Sequence, residues 1–158
     1  MIFVEPLDKN LNLLKLEEKI LDFWEKDNIY SLIRDKEKDK ETWRFIDGPP
    51  YTTGAIHLGT AWNKIMKDYF IKYKRMKGFK VTDTPGYDTH GLPIEVQMEK
   101  QLGIKNKQEI QEYGVDKFIE NCKEFALKNL DIMNNQFKRL GCVFWDWEHP
   151  YITFKHSY

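Results

Sequence analysis

A strand pattern, a helix pattern and a second strand pattern follow one another between Thr42 and Val81, and this succession constrains the fold more than any other feature. "TWRFI", Thr42 to Ile46, is short, aromatic and β-branched, and it runs into Asp47-Gly48-Pro49-Pro50, where a strand must stop. Leu58 to Lys77 reads as an amphipathic helix, with Leu58, Ala61, Trp62, Ile65, Met66, Tyr69, Tyr73 and Met76 forming an apolar stripe and Gly78 ending it. "FKV", Phe79 to Val81, then reads as a strand. Strands joined through a helix pair in parallel, with a right-handed crossover. The expected class is therefore α/β, built on a parallel βαβ unit.

Helices flank that unit. Leu11 to Lys26 places Leu13, Leu16, Ile20 and Trp24 on one face. Arg34 to Glu41, "RDKEKDKE", has no apolar anchor and reads as an exposed, charged connector. Beyond Pro93 the pattern is mainly helical. Asn106 and Glu109 have the spacing of a capping box, and Val115, Phe118, Ile119, Cys122, Ala126, Leu130, Met133 and Phe137 mark a long helix ending before Gly141. With 158 residues, 41% of them apolar, the chain has enough material for one domain with a core. Lys plus Arg and Asp plus Glu number 25 each, a balance that argues against a dedicated polybasic anchor. Cys122 and Cys142 are expected as free thiols. No run is long enough to span a bilayer, and the N-terminus lacks a signal pattern, so the expected location is cytoplasmic, with no membrane partner.

The loop between the first strand and its helix, "DGPPYTTGAIHLGTAWNK" from Asp47 to Lys64, concentrates two prolines, three glycines and a histidine. It lies at the carboxyl end of a strand and the amino end of a helix, where open α/β sheets bind ligands and where unpaired N–H groups suit phosphate. His57 can donate to a phosphate oxygen, Gly59 leaves room for a flat purine, and Gly54 allows a sharp turn. The Gly-Lys-Ser/Thr ending of a Walker loop is absent. An ordinary strand-to-helix turn, with a histidine that caps or packs, fits the same residues.

"PPYTTGAIHLGT", Pro49 to Thr60, resembles the signature region of the class I aminoacyl-tRNA synthetases, and "PGYDTHGLPIE", Pro85 to Glu95, is similar to its companion segment in the isoleucyl branch. The likeness continues through "EKQLGIKNKQEIQEYGVDKF" and "WDWEHPYIT", and so covers nearly the whole chain. The resemblance implies the first half of a Rossmann-like nucleotide-binding domain. It divides the chain into an N-terminal helical segment with its connector, 1–41, and a partial catalytic domain, 42–158, truncated near the editing-domain insertion. It implies ATP-dependent activation of isoleucine to the adenylate and transfer to tRNA(Ile). The substrates would be isoleucine and Mg2+-ATP, tRNA(Ile) would bind through the full-length enzyme, and the remainder of the polypeptide would be a partner. A chain lacking the family's second signature loop would be impaired alone. Valyl or leucyl members of the class, and a non-catalytic ATP- or adenylate-binding module, are the alternatives.

Residue by residue, the resemblance assigns His57, Gly59 and Thr60 to catalysis. Thr52, Thr53, Gly54, His57, Gly59 and Thr60 would bind ATP, while Pro49, Tyr51, Asp88 and His90 would bind the amino acid. Thr60 stands where the family signature has histidine. Tyr87 stands where it usually has tryptophan and would wall the pocket. No metal site is expected: His149 and His156 lack the partners a metal needs and are taken as solvated or packed. Lys64 to Lys80, with seven basic residues and one acid, reads as the polar face of a helix, a tRNA contact being the alternative. Trp145 and Trp147 are expected to pack against chain outside this segment.

Overall fold

The computed structural model describes residues 11–155, and within them the elements follow the order α1 (Leu13–Lys26), α2 (Ile29–Glu37), β1 (Thr42–Trp43), α3 (Leu58–Met76), β2 (Lys80–Val81), β3 (Gly86–Tyr87), α4 (Leu92–Leu102), α5 (Lys107–Tyr113), α6 (Val115–Arg139) and β4 (Tyr151–Ile152). His156 lies outside the described residues. The expected βαβ unit is present: β1 pairs with β2 in parallel, in the register Thr42↔Lys80 and Trp43↔Val81, with α3 as the crossover. The pair is short because a side chain takes over the ladder. Thr82 Oγ1 accepts from the Phe45 amide at 2.6 Å and donates to the Phe45 carbonyl at 2.9 Å.

A second parallel pair was not legible in the sequence. β3 joins β4 in the register Gly86↔Tyr151 and Tyr87↔Ile152, and the bridge Tyr51↔Asp88 adds the loop after β1 to its other end. Gly86 is required there, because a Cβ would collide with the Tyr151 ring. The architecture is mixed α/β, mostly helical, with two small parallel pairs.

The core lies between α3, α6 and the strands. Ile71, Val81, Tyr87, Leu130, Met133, Phe137, Cys142, Trp145, Trp147 and Ile152 form one cluster. Trp145 and Trp147 thus belong to this chain's own core, against the expectation that they pack elsewhere. Their indoles explain it: Trp145 Nε1 donates to Asp68 at 3.0 Å, and Trp147 Nε1 donates to the Cys142 carbonyl at 2.9 Å. The long helix α6 carries much of the predicted stripe inward, burying Phe118, Ala126, Leu130, Met133 and Phe137. Both cysteines are free thiols. The Asn106 side chain caps α5 as its spacing predicts, while Glu109 reaches back to the Lys105 amide at 2.7 Å, one residue earlier than the usual box.

Two expectations are corrected by charge. The segment from Arg34 is not simply an exposed connector, since α2 extends through Glu37 and Glu37 is buried. Arg34 Nη1 reaches Asp83 at 3.0 Å, Tyr30 donates to Asp83 at 2.8 Å, and Arg75 bridges Glu37 and Asp83. A run without apolar anchors is thus held by ion pairs instead. In α3 the apolar stripe faces outward. Leu58 is 84% exposed, Trp62 68% and Met76 86%, while the buried residues are Lys64, Asp68 and Ile71. Their spacing of four and three places them on one helical face. The basic run is correspondingly not a free polar face: Lys64, Lys67, Lys72 and Arg75 are in intramolecular ion pairs.

Candidate functional site

The start of α3 is built by one histidine. His57 occupies the N-cap with extended backbone, and its Nδ1 accepts from the amides of Gly59 at 3.1 Å and Thr60 at 3.3 Å. A nitrogen that accepts carries no proton, so in the neutral ring the proton sits on Nε2. There Thr60 Oγ1 lies 3.1 Å away. The hydroxyl therefore takes the outward N–H and fixes the ring from its second side. Gly59 makes the fold-back possible, since a Cβ would come 3.0 Å from His57 Cε1. The space assigned to a purine at Gly59 is thus filled by the imidazole here. His57 and Gly59 are exposed, so this N–H donor faces solvent. Capping, proposed as the bland reading of His57, and presentation of a donor are the same geometry.

The same loop builds a second edge. The Thr52 amide donates to the Asp88 carbonyl at 3.2 Å, and the Asp88 amide donates to the Pro50 carbonyl at 2.9 Å. These bonds bring the two sequence motifs together, with Pro49, Tyr51 and Asp88 along one edge. Pro49 and Tyr51 are exposed and Asp88 is half-buried. Thr153 Oγ1 approaches the Asp88 carboxylate only at 3.5 Å, the outer limit of a hydrogen bond, which leaves its acceptor capacity largely open. Thr53 and Gly54 are half-buried in the connecting loop, with Gly54 at φ +157°. His90 is exposed, two residues beyond Asp88. Two expectations change. Tyr87 is fully buried in the core, its hydroxyl bonded to Asn134, so it walls no open pocket; burial raises its pKa. Thr52 is also fully buried, and its hydroxyl has no partner among the described residues.

Beneath both edges lies a charged scaffold that sequence reasoning missed. Asp47 has no exposed surface; its carboxylate meets Lys64 Nζ at 2.5 Å and Lys67 Nζ at 2.6 Å, and accepts from the Gly86 amide at 3.1 Å. Lys64 Nζ also lies over the Trp145 ring, 4.2 Å from its centroid. Burial pushes the Lys64 ammonium below the ordinary lysine range, with Asp47 pulling it back. The only signal in the sequence was the position of Asp47 at the strand's end. Gln136 Oε1 on α6 accepts the Ile56 amide at 2.8 Å and so anchors the loop just before His57.

Elsewhere, a cavity of about 500 Å³ lies between α1 and residues 138–148, lined by Trp24, Tyr30, Phe144 and Glu148 among others, and none of the predicted site residues reaches it. Among the described residues no cluster of three or more His, Cys, Asp or Glu is arranged to hold a metal ion, and His149 is exposed beside Asp146. No helix of the described residues is long and apolar enough to cross a membrane.

Residues 19–158 match the family model of class I tRNA synthetases (I, L, M and V). The chain belongs to that family. Among class I relatives, the isoleucine–tRNA ligase of Pyrococcus furiosus is 54% identical over 155 residues, covering 98% of this chain and 14% of the relative. That of Archaeoglobus fulgidus is 55% identical over 143 residues, covering 90% and 14% respectively. That of Methanocaldococcus jannaschii is 52% identical over 156 residues. The chain thus spans about one-seventh of the length of the class I relatives it matches. Among solved class I structures, a LeuRS–tRNA–LeuAMS ternary complex from Agrobacterium radiobacter K84 superposes with a TM-score of 0.64 at 20% identity, over 88% of this chain and 15% of that one. That likeness speaks to the fold.

Proposed function

We propose that this chain is the first part of the catalytic domain of an isoleucine–tRNA ligase, with a Rossmann-like half-fold in 42–158 following the helical segment 1–41. The observation that carries the reading is the Tyr51↔Asp88 bridge, which ties an open carboxylate to the loop that leads, five residues on from Thr52, into a helix start presenting an imidazole donor. Relatives named isoleucine–tRNA ligase, more than half identical over nearly the whole chain, support the same assignment.

In this reading Asp88 accepts the α-ammonium group of isoleucine, a charge-assisted contact that fixes the amino acid's orientation. Pro49 and Tyr51 flank its aliphatic side chain, with His90 in a supporting place. Mg2+-ATP enters as substrate over Thr53 and Gly54, with Thr52 buried beneath them and the ATP phosphates at the start of α3. The isoleucine carboxylate attacks the α-phosphate and pyrophosphate departs. No protein nucleophile is needed: the residues align attack and stabilise the charge spreading over phosphate oxygens. His57 Nε2–H supplies the donor, turning from Thr60 Oγ1 to an oxygen; Thr60 holds the ring ready, and Gly59 leaves room for the ring to fold back. Transfer to tRNA(Ile), and any editing, would fall to the longer polypeptide.

Amino-acid-dependent exchange of pyrophosphate into ATP tests the proposal in that polypeptide. Isoleucine should support exchange better than valine or leucine. The margin over valine should be modest, because one methylene distinguishes the two only weakly, a limit for which isoleucyl-tRNA synthetase is the standard example. His57→Ala and Asp88→Ala should each lower exchange by about 100-fold, the scale of losing one preorganised contact. Exchange unaffected by both would refute the assignment. ATP binding without exchange would favour the binding module.

A further inference from the structure

Asp47 touches α3, β3 and β4. Its carboxylate holds Lys64, which lies two turns along α3 from His57, and the Gly86 amide at the start of β3, two residues before Asp88. Lys67 Nζ binds the other carboxylate oxygen and the Gly48 carbonyl at 2.9 Å. The Asp47 carbonyl accepts from the Tyr151 hydroxyl of β4 at 2.5 Å, and Tyr151 packs where Gly86 has no side chain. Lys64 is enclosed in turn by the rings of Trp145, Phe137 and Trp147, with centroids 4.2, 5.0 and 5.5 Å away. A carboxylate and an ammonium this deeply buried gain little net stability over apolar side chains of the same shape. Their best-attested use is to fix one arrangement against its alternatives.

We infer that Asp47 is the positioning residue of the site. Through Lys64, Gly86 and Tyr151 it fixes the separation between the His57 helix start and the Tyr51–Asp88 edge, and so holds the two ends of a bipartite ligand at one distance. The ligand half of this inference rests on the proposed assignment of the two edges; the clamp itself does not. A ligand spanning both edges feels a change in their separation, whereas one bound at a single edge does not. Asp47→Asn keeps an acceptor for the Gly86 amide but removes the charge that gathers the two lysines.

Hydrogen exchange in this chain reads the clamp without any ligand, because the Thr52 and Asp88 amides pair the two segments that Asp47 joins, its own loop and the one that starts at Gly86. In Asp47→Asn their protection should fall by about ten-fold more than that of the Leu130 and Met133 amides in α6. A uniform fall, or none, would overturn the inference. Should Asp47→Asn fail to fold, Lys67→Met, which removes only the less buried cation, should give a smaller loss confined to the same two amides. A uniform response there would again be fatal. In the longer polypeptide, binding of the sulfamoyl analogue of isoleucyl-adenylate should weaken about ten-fold more than binding of ATP alone. Equal weakening would overturn the inference. If Thr52 and Asp88 respond as expected but the unsubstituted protein ignores the analogue, the clamp stands and the proposed function fails.

Discussion

On one side of α3, Lys64, Asp68 and Ile71 are buried and Arg75 is nearly so; on the other, Leu58, Trp62, Tyr69 and Met76 face solvent. Each buried charge has an answer: Lys64 in Asp47, Asp68 in Lys72 and the Trp145 indole, Arg75 in Glu37, Asp83 and the Phe144 carbonyl. The outward apolar face has no comparable enclosure within the described residues. Hydropathy alone would orient this helix the other way. Burial on α3 follows the supply of partners, and a charged side chain goes inside when its counter-charge and hydrogen bonds are already there. The relatives carry several times more chain than this, and an apolar face is where added chain has most to gain.

The contrast breaks if the two faces respond alike to substitution. Arg75→Met should be the most damaging change, because it takes from two buried carboxylates, Glu37 and Asp83, the more buried of their two cations and leaves them only Arg34. About 3–5 kcal/mol of unfolding free energy should be lost in urea titrations. Asp68→Ala, which leaves the buried Trp145 indole N–H unpaired, should cost about 1–3 kcal/mol in the same assay.

Cys142 sharpens the picture, since it is buried beside the inward charges. Burial, and then the charge of Asp68, push its thiol from 9.0 up to about 12. Below pH 9 the folded and unfolded chains both keep that proton, so it has no effect. Above pH 9 the unfolded chain releases it first, and stability should fall by about 1.4 kcal/mol per pH unit until the folded thiol ionises. Denaturation curves at pH 8 and pH 10 should therefore diverge more for the unsubstituted chain than for Cys142→Ala. Trp62→Gln, on the outward face, should shift stability by no more than about 0.5 kcal/mol. A loss there rivalling that of Arg75→Met would mean the faces are assigned the wrong way round.

Local signals were read well where one residue type has one physical use. The α3 and α6 patterns and the parallel β1–β2 pair were visible, although β1 ends at Trp43, short of the expected Ile46. β3 and β4 were not, because two-residue strands carry no periodicity and their partners lie far apart in the chain. The charged scaffold was invisible for a related reason. Nothing in the spelling of Lys64 or Asp47 distinguishes a solvated ion from a buried pair; only the fold brings them within 2.5 Å. Arg34 and Glu37 were misread in the same way, because the partner of the first, Asp83, lies beyond α3 and that of the second, Arg75, lies near the end of α3. The resemblance to a family singled out His57 and Asp88 as candidates, while the cap that His57 forms on its own helix was one of the readings its loop allowed.

The pairing of β3 with β4 also sets a timetable. The β1–β2 pair has all its parts once the chain has been made as far as Val81, and closing that loop needs only α3 between its ends. The Asp88 edge, by contrast, rests on a strand that is not complete until Ile152, with three helices in between. Long-range closure of this kind is slow, since chain entropy is lost before the contacts form. On a ribosome, therefore, the His57 end of the site can mature first, while its carboxylate end waits for Tyr151 to arrive and lock against Gly86.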